Sequence, residues 1–84
     1  MPYDIRITRQ ARKDIDALSS KLRRKLRDIL VNLIAEDPYL GKKLLGDLSG
    51  SYSHRLNLKD RIIYSVVETR KTVSIERART HYGD

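Results

Sequence analysis

Arginine and histidine are the side chains of this sequence whose types and spacing suit chemistry. Arg55 and Arg61 stand in the second half of the chain, and the closing residues add Arg77, Arg79, His81 and Tyr82. Guanidinium groups are planar, stay charged and match the oxygens of a phosphate. An imidazole with a pKa near about 6.5 can give or take a proton near neutral pH. Together these groups suit proton transfer and charge stabilisation at a phosphate.

Several other kinds of site are excluded by composition. The chain contains no cysteine, so it has no disulfide framework, thiolate zinc site or cysteine nucleophile. His54 and His81 lie on different predicted elements without an acidic cluster nearby, which argues against a metal site. The sequence has no glycine-rich loop for nucleotide phosphates before a helix and no Gly-x-Ser-x-Gly turn. We therefore expect neither a metal nor a small-molecule cofactor.

Length and charge limit the class of protein and of partner. A chain of 84 residues, 39% hydrophobic and 35% charged, fits one domain with a small core. Its 18 Lys and Arg against 11 Asp and Glu give a net charge of +7, which favours a polyanionic partner. No stretch approaches the roughly 20 apolar residues of a membrane span, and the start lacks the pattern of a signal peptide. We expect a single cytoplasmic domain, residues 1–84, that does not contact a membrane.

The first half of the chain predicts a strand and two helices, which must position these groups. Polar and apolar residues alternate over 3–8, as in a short strand. From Arg9 the apolar residues recur every three or four positions, which predicts a helix capped by Thr8. After Ser19 a second helix carries the clearest amphipathic pattern of the sequence. Asp37-Pro38 ends it, because proline lacks an amide hydrogen.

The second half predicts a loop followed by three strands. Residues 37–51 contain three glycines and are expected to form a connecting loop. Strands are predicted at 52–58, 61–68 and 72–78 from alternation and from β-branched residues. The order β-α-α-β-β-β predicts an α+β fold, with the helices packed on one face of a mainly antiparallel sheet and the other face partly open.

The register between the second and third predicted strands decides where the arginines point. With an odd number of residues in the connecting loop, Asn57 pairs with Arg61. Arg55 then pairs with Ile63, and both arginines point to the open face. A two-residue loop would turn Arg61 towards the core, where its charge is costly. We therefore predict the odd loop, with four side chains pointing to the helices: Leu56, Ile62, Tyr64 and Val66.

Three separated motifs connect these groups to a known family. They are Leu48-Ser49-Gly50-x-Tyr52-Ser53-x-Arg55, Arg61-Ile62-Ile63-Tyr64-x-Val66 and Arg79-Thr80-His81-Tyr82. In this order they resemble the RelE/ParE toxin superfamily, above all its YoeB-like branch, and the order of elements agrees along essentially the whole chain. Proteins of that branch are toxins of type II toxin-antitoxin pairs that cleave messenger RNA in the ribosomal decoding site. The resemblance implies a RelE-like toxin domain that is an endoribonuclease (mRNA interferase) without a cofactor, with an antitoxin, the ribosome and mRNA as partners.

The resemblance also implies a role for each matching residue. Arg61 corresponds to the arginine that contacts the scissile phosphate, and Arg55 to a second phosphate-binding arginine. His81 corresponds to the proton donor and Tyr82 to a stacking or orienting group. Arg79 corresponds to a basic residue just before that pair. Arg77, in the same basic segment, is likewise predicted to bind RNA.

The general base that would deprotonate the 2′-hydroxyl is left open. Where the YoeB-like pattern has a glutamate, an ungapped comparison places Lys42. Glu68 and Glu76 are the carboxylates of the predicted strands that are available for this task. Nothing in the sequence places either of them near His81.

Other polar and aromatic residues are open to structural interpretations. His54 alternates with Leu56 and is interpreted as a partly buried structural residue, and Tyr64 as a core residue. The outer face of the second helix is basic, and two interpretations stay open for it: a solvated face, or contact with the backbone of ribosomal RNA. Its candidate residues are Arg23, Arg24, Lys25 and Arg27.

Two other functions are compatible with the pattern. One is a ParE-like toxin that inhibits DNA gyrase and is not a nuclease. The other is a nucleic-acid-binding regulator, whose affinity falls with salt but whose expression does not stop growth. The His81-Tyr82 pair favours the nuclease, because phosphate binding alone gives no reason for a titratable group there.

Overall fold

The computed structural model describes residues 2–45 and 50–78, and it begins with a strand that runs directly into a helix. Strand β1 (Asp4–Ile7) is followed by helix α1 (Arg9–Asp16), as predicted. The Thr8 hydroxyl accepts a hydrogen bond from the amide of Ala11 and so caps α1. The same hydroxyl donates to the carbonyl of Ile75 at 2.9 Å. This cap therefore ties the start of α1 to the last strand of the sheet.

Helix α2 (Ser20–Ile29) follows after a short turn and is capped by the Ser19 hydroxyl, which accepts from the amide of Leu22. It continues into one π-helical turn (Leu30–Ile34). The predicted second helix is thus confirmed, with a wider last turn that the apolar spacing did not indicate. None of the helices in the described part of the chain is long and apolar enough to cross a membrane.

One mixed sheet carries the rest of the described chain. Its strands after β1 are β2 (Lys42–Lys43), β3 (Ser51–Arg55), β4 (Arg61–Val67) and β5 (Thr72–Arg77). The spatial order is β1-β5-β4-β3-β2, in which β1 is parallel to β5 and the other neighbours are antiparallel. The predicted α+β class with a mainly antiparallel sheet is confirmed. Strand β2 lies inside the predicted loop 37–51, since a two-residue strand is too short to show alternation.

The helices cover one face of this sheet and form the core with it. The buried cluster draws on α1, on α2 with its π-helical turn, on the inner strands and on the residues that follow β3 and β5. Its members are Ala11, Ile15, Leu26, Ile29, Leu30, Ile34, Leu56, Ile62, Tyr64, Val73, Ile75 and Ala78. Val66 packs against its edge. All four residues predicted to point to the helices therefore do so. Full burial of each large aliphatic side chain contributes about 1.5–3 kcal/mol, which makes this cluster the main stabilising element.

Tyr64 connects the core to the segment before β2. Its hydroxyl donates to the carbonyl of Pro38 at 2.8 Å, and its burial raises the pKa to about 12. A Cβ atom at Gly41 would overlap that hydroxyl, so a side chain cannot be accommodated there without a shift. The ring stacks on Tyr52, with 5.7 Å between the centroids. Tyr64 is thus a core residue, in agreement with its interpretation from the sequence.

Candidate active site

Arg55 and Arg61 lie directly opposite each other at the end of the β3–β4 hairpin. Five residues, 56–60, connect them, an odd number as predicted, and both side chains are exposed on the sheet face away from the helices. The individual pairs predicted for this hairpin are wrong, because Arg55 pairs with Arg61, and Ser53 with Ile63. The shared face of the two arginines was therefore predicted correctly from an incorrect register.

The turn explains the difference in register. The Asn57 side chain accepts hydrogen bonds from the amides of Lys59 and Asp60, at 2.8 and 2.5 Å. The Asp60 carbonyl in turn accepts from the amides of Leu56 and Asn57. This compact turn ends strand pairing at Arg55, whereas the sequence predicted a strand to residue 58. Such asparagine-centred turns compete with strand pairing through local hydrogen bonds.

The two opposed arginines make a poor structural pair and a good anion site. Directly opposite residues of an antiparallel pair have Cβ atoms about 4.5–5.5 Å apart, and like charges at this spacing are destabilising. Neither guanidinium forms an ion pair with any residue in the described ranges. A phosphate between them would relieve the repulsion and accept hydrogen bonds from both. This geometry suits charge stabilisation on a phosphodiester.

Lys42 lies on the same face. It pairs with Ser53 across β2 and β3, and paired residues project to one side of a sheet. Ser53 and Arg55 are two positions apart on β3, so the lysine and the two arginines form a cationic cluster at one end of this face. The position where the YoeB-like pattern has a glutamate is therefore part of the site, although its chemistry here is that of an amine.

Glu76 lies on the face of the two arginines, nearer to them than Asp4, which is on the edge strand β1. A β-bulge leaves it unpaired in β5, since Arg77 pairs with Ile63 and Ile75 with Tyr64. Its carboxylate accepts hydrogen bonds from Ser65 at 3.2 Å and from Ser51 at 3.3 Å. The serines were not predicted as site residues, although the alternation of β3 and β4 places both on the arginine face.

Glu68, the other carboxylate considered as a base, lies at the opposite end of β4 from Arg61. It forms an ion pair with Lys71 and accepts hydrogen bonds from the Tyr39 hydroxyl at 2.5 Å and the Tyr3 hydroxyl at 2.8 Å. These partners, with Lys71 contributing most, lower the pKa of Glu68 to about 2. A carboxylate so stabilised in its charged form is a weak base. Glu68 therefore belongs to a structural cluster away from the site.

Arg77 holds the end of β5 against α1. Its Nε donates to Oδ2 of the buried Asp14 at 2.8 Å, and the amide of Ala78 donates to the same oxygen at 3.2 Å. Burial raises the pKa of Asp14, but hydrogen bonds from Arg77, Ala78 and Gln10 outweigh it, so the pKa lies below its usual value. This anchor fixes the end of β5 against α1.

The remaining predicted site residues fall into two groups. Arg79, His81 and Tyr82 lie outside the described residues. The basic residues of the second helix are all exposed on α2, on the helical side of the sheet and away from the arginine pair: Arg23, Arg24, Lys25 and Arg27. The structure thus brings together Arg55 and Arg61 and leaves the α2 residues on a separate surface.

Two further observations concern histidine and metal ligands. His54 is half-buried, and its ring Nδ1 lies 2.9 Å from the carbonyl oxygen of Arg55, to which it can donate. This agrees with a structural interpretation of His54. Among residues 2–45 and 50–78, no group of three His, Asp or Glu side chains could hold a metal ion.

Comparison with known families gives a match along most of the chain. The sequence model of the family described as "ParE-like toxin of type II bacterial toxin-antitoxin system" matches residues 5–82. A comparison with curated protein sequences finds no significant match.

Solved structures with the same fold cover nearly the whole chain. The toxin-antitoxin complex RelBE2 from Mycobacterium tuberculosis matches with a TM-score of 0.86 and 27% identity, over 96% of this chain and 100% of that chain. The YoeB-YefM complex from Staphylococcus aureus matches with a TM-score of 0.79 and 26% identity, over 98% and 100%. A mutant of the E. coli toxin RelE in the free state has a TM-score of 0.82 over 100% and 88%, and at 22% identity this likeness concerns the fold alone. The predicted resemblance to the RelE/ParE superfamily is confirmed.

Proposed function

Because this chain belongs to the ParE-like toxin family of type II bacterial toxin-antitoxin systems, we propose that it is a ribosome-dependent endoribonuclease, an mRNA interferase that inhibits translation and growth. One observation carries the proposal. Arg55 and Arg61 are paired, exposed and without an acidic partner among the described residues, as a phosphate site requires. Because ribosomes act in the cytoplasm, the proposed activity takes place there.

The reaction is attack of a 2′-hydroxyl on the adjacent phosphorus. A base removes the proton of the 2′-oxygen, the bond from this oxygen to phosphorus forms, and the bond from phosphorus to the 5′-oxygen breaks. An acid gives a proton to the departing 5′-oxygen, which leaves a 2′,3′-cyclic phosphate and a 5′-hydroxyl end. Arg55 and Arg61 stabilise the charge that develops on the five-coordinate phosphorus, since strand pairing holds their backbones directly opposite each other.

The two proton transfers need an acid and a base. We assign the acid to His81, because an imidazole side chain in general can give a proton near neutral pH, and the orientation of the substrate to Tyr82. Arg79 is assigned to the RNA backbone, whereas the charge of Arg77 is balanced by Asp14 and its part in RNA binding is limited to its remaining guanidinium N–H groups. Glu76 is the candidate base, because it shares the arginine face and its ordered hydrogen bonds with Ser51 and Ser65 fix its position.

A cognate antitoxin follows from the same proposal. Both the RelBE2 and YoeB-YefM structures are complexes of toxin-antitoxin pairs. The net charge of +7 and the cationic cluster favour an acidic segment of the antitoxin that covers the arginine face. The basic residues of α2 are then available for phosphates of ribosomal RNA.

The test is inducible expression in a bacterial host with mapping of new RNA ends. Parent protein should arrest growth and produce mRNA ends with cyclic phosphates, and Arg61→Ala should abolish both while it folds normally. Lys13→Ala removes one exposed positive charge from α1 and serves as the matched control, which should stay toxic. Growth arrest by Arg61→Ala would contradict the mechanism.

Other outcomes of this experiment identify the rival functions. Intact RNA together with inhibited supercoiling would favour a gyrase-directed toxin. Normal growth with salt-sensitive RNA or DNA binding would favour a regulator without catalytic activity.

A further inference from the structure

A second basic site lies on the sheet face that carries the arginine pair, at the edge formed by β1. It is a cleft of about 500 Å³ whose walls include three arginines, Arg6, Arg9 and Arg70. The wall also includes Val67, Thr72 and Ser74 from strands β4 and β5. These arginines are far apart in the chain and carry no motif, since they come from β1, the start of α1 and the turn between β4 and β5.

The three arginines are exposed and have no ion-pair partner within residues 2–45 and 50–78. The nearest carboxylate of the β4–β5 turn, Glu68, is occupied by Lys71 and two tyrosine hydroxyls. The hydroxyl of Ser74 likewise makes no hydrogen bond with a described residue. Asp4 lies on the same face, opposite Thr72, but it forms no ion pair with a described residue and is not part of the cleft wall. Three cations against this one neighbouring acid leave a net positive charge, so the cleft is suited to an anion.

A row of polar residues runs from this cleft across the sheet face that carries the candidate active site. Arg6 pairs with Ser74, Ser74 with Ser65, and Ser65 with Ser51, across four neighbouring strands. Paired residues project to the same face, so the row crosses the face that carries Arg55 and Arg61. The cleft and the arginine pair therefore lie on one face of the sheet, and the Glu76 carboxylate is held on the row by Ser51 and Ser65.

The separation of the two sites suits one nucleic-acid strand. Arg6 and Arg61 are two strands apart, at about 4.8 Å each, and four residues apart along the strand direction, at about 3.3 Å each, which gives roughly 16 Å. A stacked strand advances about 3.4 Å per nucleotide, so no more than about five nucleotides span this distance.

We propose that the cleft of Arg6, Arg9 and Arg70 binds backbone phosphates of the RNA strand whose scissile phosphate lies between Arg55 and Arg61. The proposal rests on the proposed function for the identity of the RNA and extends it to a second, distant contact. The cleft holds the strand by charge and does not read its sequence, because guanidinium groups at phosphates carry no base information.

The length of the bound RNA provides the test. We would measure binding of fluorescent 2′-O-methyl oligoribonucleotides, whose blocked 2′-oxygen prevents cleavage, with a trinucleotide and a decanucleotide. The variant Arg6→Gln/Arg70→Gln removes two charges from the cleft, and the control Lys13→Gln/Lys21→Gln removes two exposed charges from the helical side. Circular dichroism melting would verify that both variants fold.

The expected result is specific to the long strand. The cleft variant should bind the decanucleotide at least about 10-fold more weakly than the parent. Its plot of log affinity against log salt should become less steep by about 1.4, at about 0.7 for each of the two lost phosphate contacts. Its affinity for the trinucleotide should fall no more than in the control variant.

Three outcomes would overturn the proposal. Equal losses in the cleft variant and the control would indicate a general charge effect, and equal losses for both oligonucleotides would place the cleft within the active site. Unchanged RNA binding with weaker binding of an acidic antitoxin peptide would assign the cleft to the antitoxin. A parent protein that binds the decanucleotide through the cleft but never cleaves mRNA would contradict the proposed function and leave this inference standing.

Discussion

Two carboxylates of the sheet have the same functional group and opposite environments. Glu68 is held by Lys71 and two tyrosine hydroxyls, so its charged form is stabilised. Glu76 has two serine partners and no described cation in contact with it. Since a base must accept a proton during the reaction, the environment of Glu76 is the more suitable one.

Glu76→Gln tests this assignment. Glutamine keeps a carbonyl oxygen for the Ser51 and Ser65 hydroxyls but cannot accept the proton, so we expect the cleavage rate to fall by about 100-fold or more. The measurement is single-turnover cleavage of ribosome-bound mRNA across pH, in which the limb of the profile that belongs to the base should vanish. Glu68→Gln is the matched control and should cleave normally. Full activity of Glu76→Gln, with loss of activity in Lys42→Met, would assign the proton transfer to the lysine instead.

Asp14 is a buried carboxylate whose task is structural. Asp14→Asn should lower the free energy of unfolding by about 1–3 kcal/mol at pH 7, because the bonds to Arg77 and Ala78 lose their charge. The folded pKa of Asp14 is depressed, so this stability is present above the unfolded value of about 3.9 and is lost as pH falls through the folded pKa.

Urea unfolding at pH 7 and at pH 3 measures this effect. The difference between parent and Asp14→Asn should be smaller at pH 3 than at pH 7. A difference that stays constant with pH would mean that the charge of Asp14 does not contribute.

The β3–β4 hairpin is the element that sets the geometry of the arginine pair. Its register depends on the turn at Asn57 rather than on the apolar pattern of the strands, because that pattern is satisfied by more than one odd loop. The bulge at Glu76 has a similar effect in β5, since it turns one carboxylate to the arginine face.

Asn57→Ala should loosen this turn. The amides of Lys59 and Asp60 lose their acceptor, and we expect a loss of about 0.5–1.5 kcal/mol in stability. Hydrogen exchange should show faster opening of the amides near Arg55 and Arg61, with β1 and β5 much less affected. Uniformly faster exchange in all strands would show instead that the turn matters only for global stability.

Across the fold, the Glu68 cluster joins three distant parts of the chain. Tyr3 precedes β1, Tyr39 follows α2, and Lys71 lies in the turn before β5, where its backbone has a φ of 48°. Backbone hydrogen bonds already link them, from the amide of Tyr3 to the carbonyl of Ala35 at 2.7 Å and from the amide of Asp4 to the carbonyl of Lys71 at 2.9 Å. Their side chains meet on one carboxylate and therefore help to close the sheet against the helices.

Glu68→Gln should lower the melting temperature at pH 7. The folded pKa of Glu68 is about 2, below its unfolded value of about 4.3, so its contribution is present above pH 4 and disappears as pH falls towards 2. Thermal melts of parent and variant over pH 2 to 7 should converge at the acid end. Lys43→Gln, which changes an exposed charge outside the cluster, should give no such convergence.

Strand and helix identity could be read from the sequence because it depends on the spacing of neighbouring apolar residues. The alternation in β1 and the amphipathic pattern of α2 predicted these elements, and the three motifs pointed to the correct superfamily. The shared face of Arg55 and Arg61 followed from the cost of burying a charge, a local argument that holds for any odd loop.

The pairing of these arginines, the orientation of Glu76 and the cleft of Arg6, Arg9 and Arg70 were beyond such reasoning. Each depends on residues that are far apart in the chain and meet only after the strands pair. The arginine pairing depends on a turn held by one asparagine side chain, and the orientation of Glu76 depends on a single extra residue in β5. The cleft depends on the parallel pairing of the first strand with the last. None of these features leaves a periodic signal in the sequence.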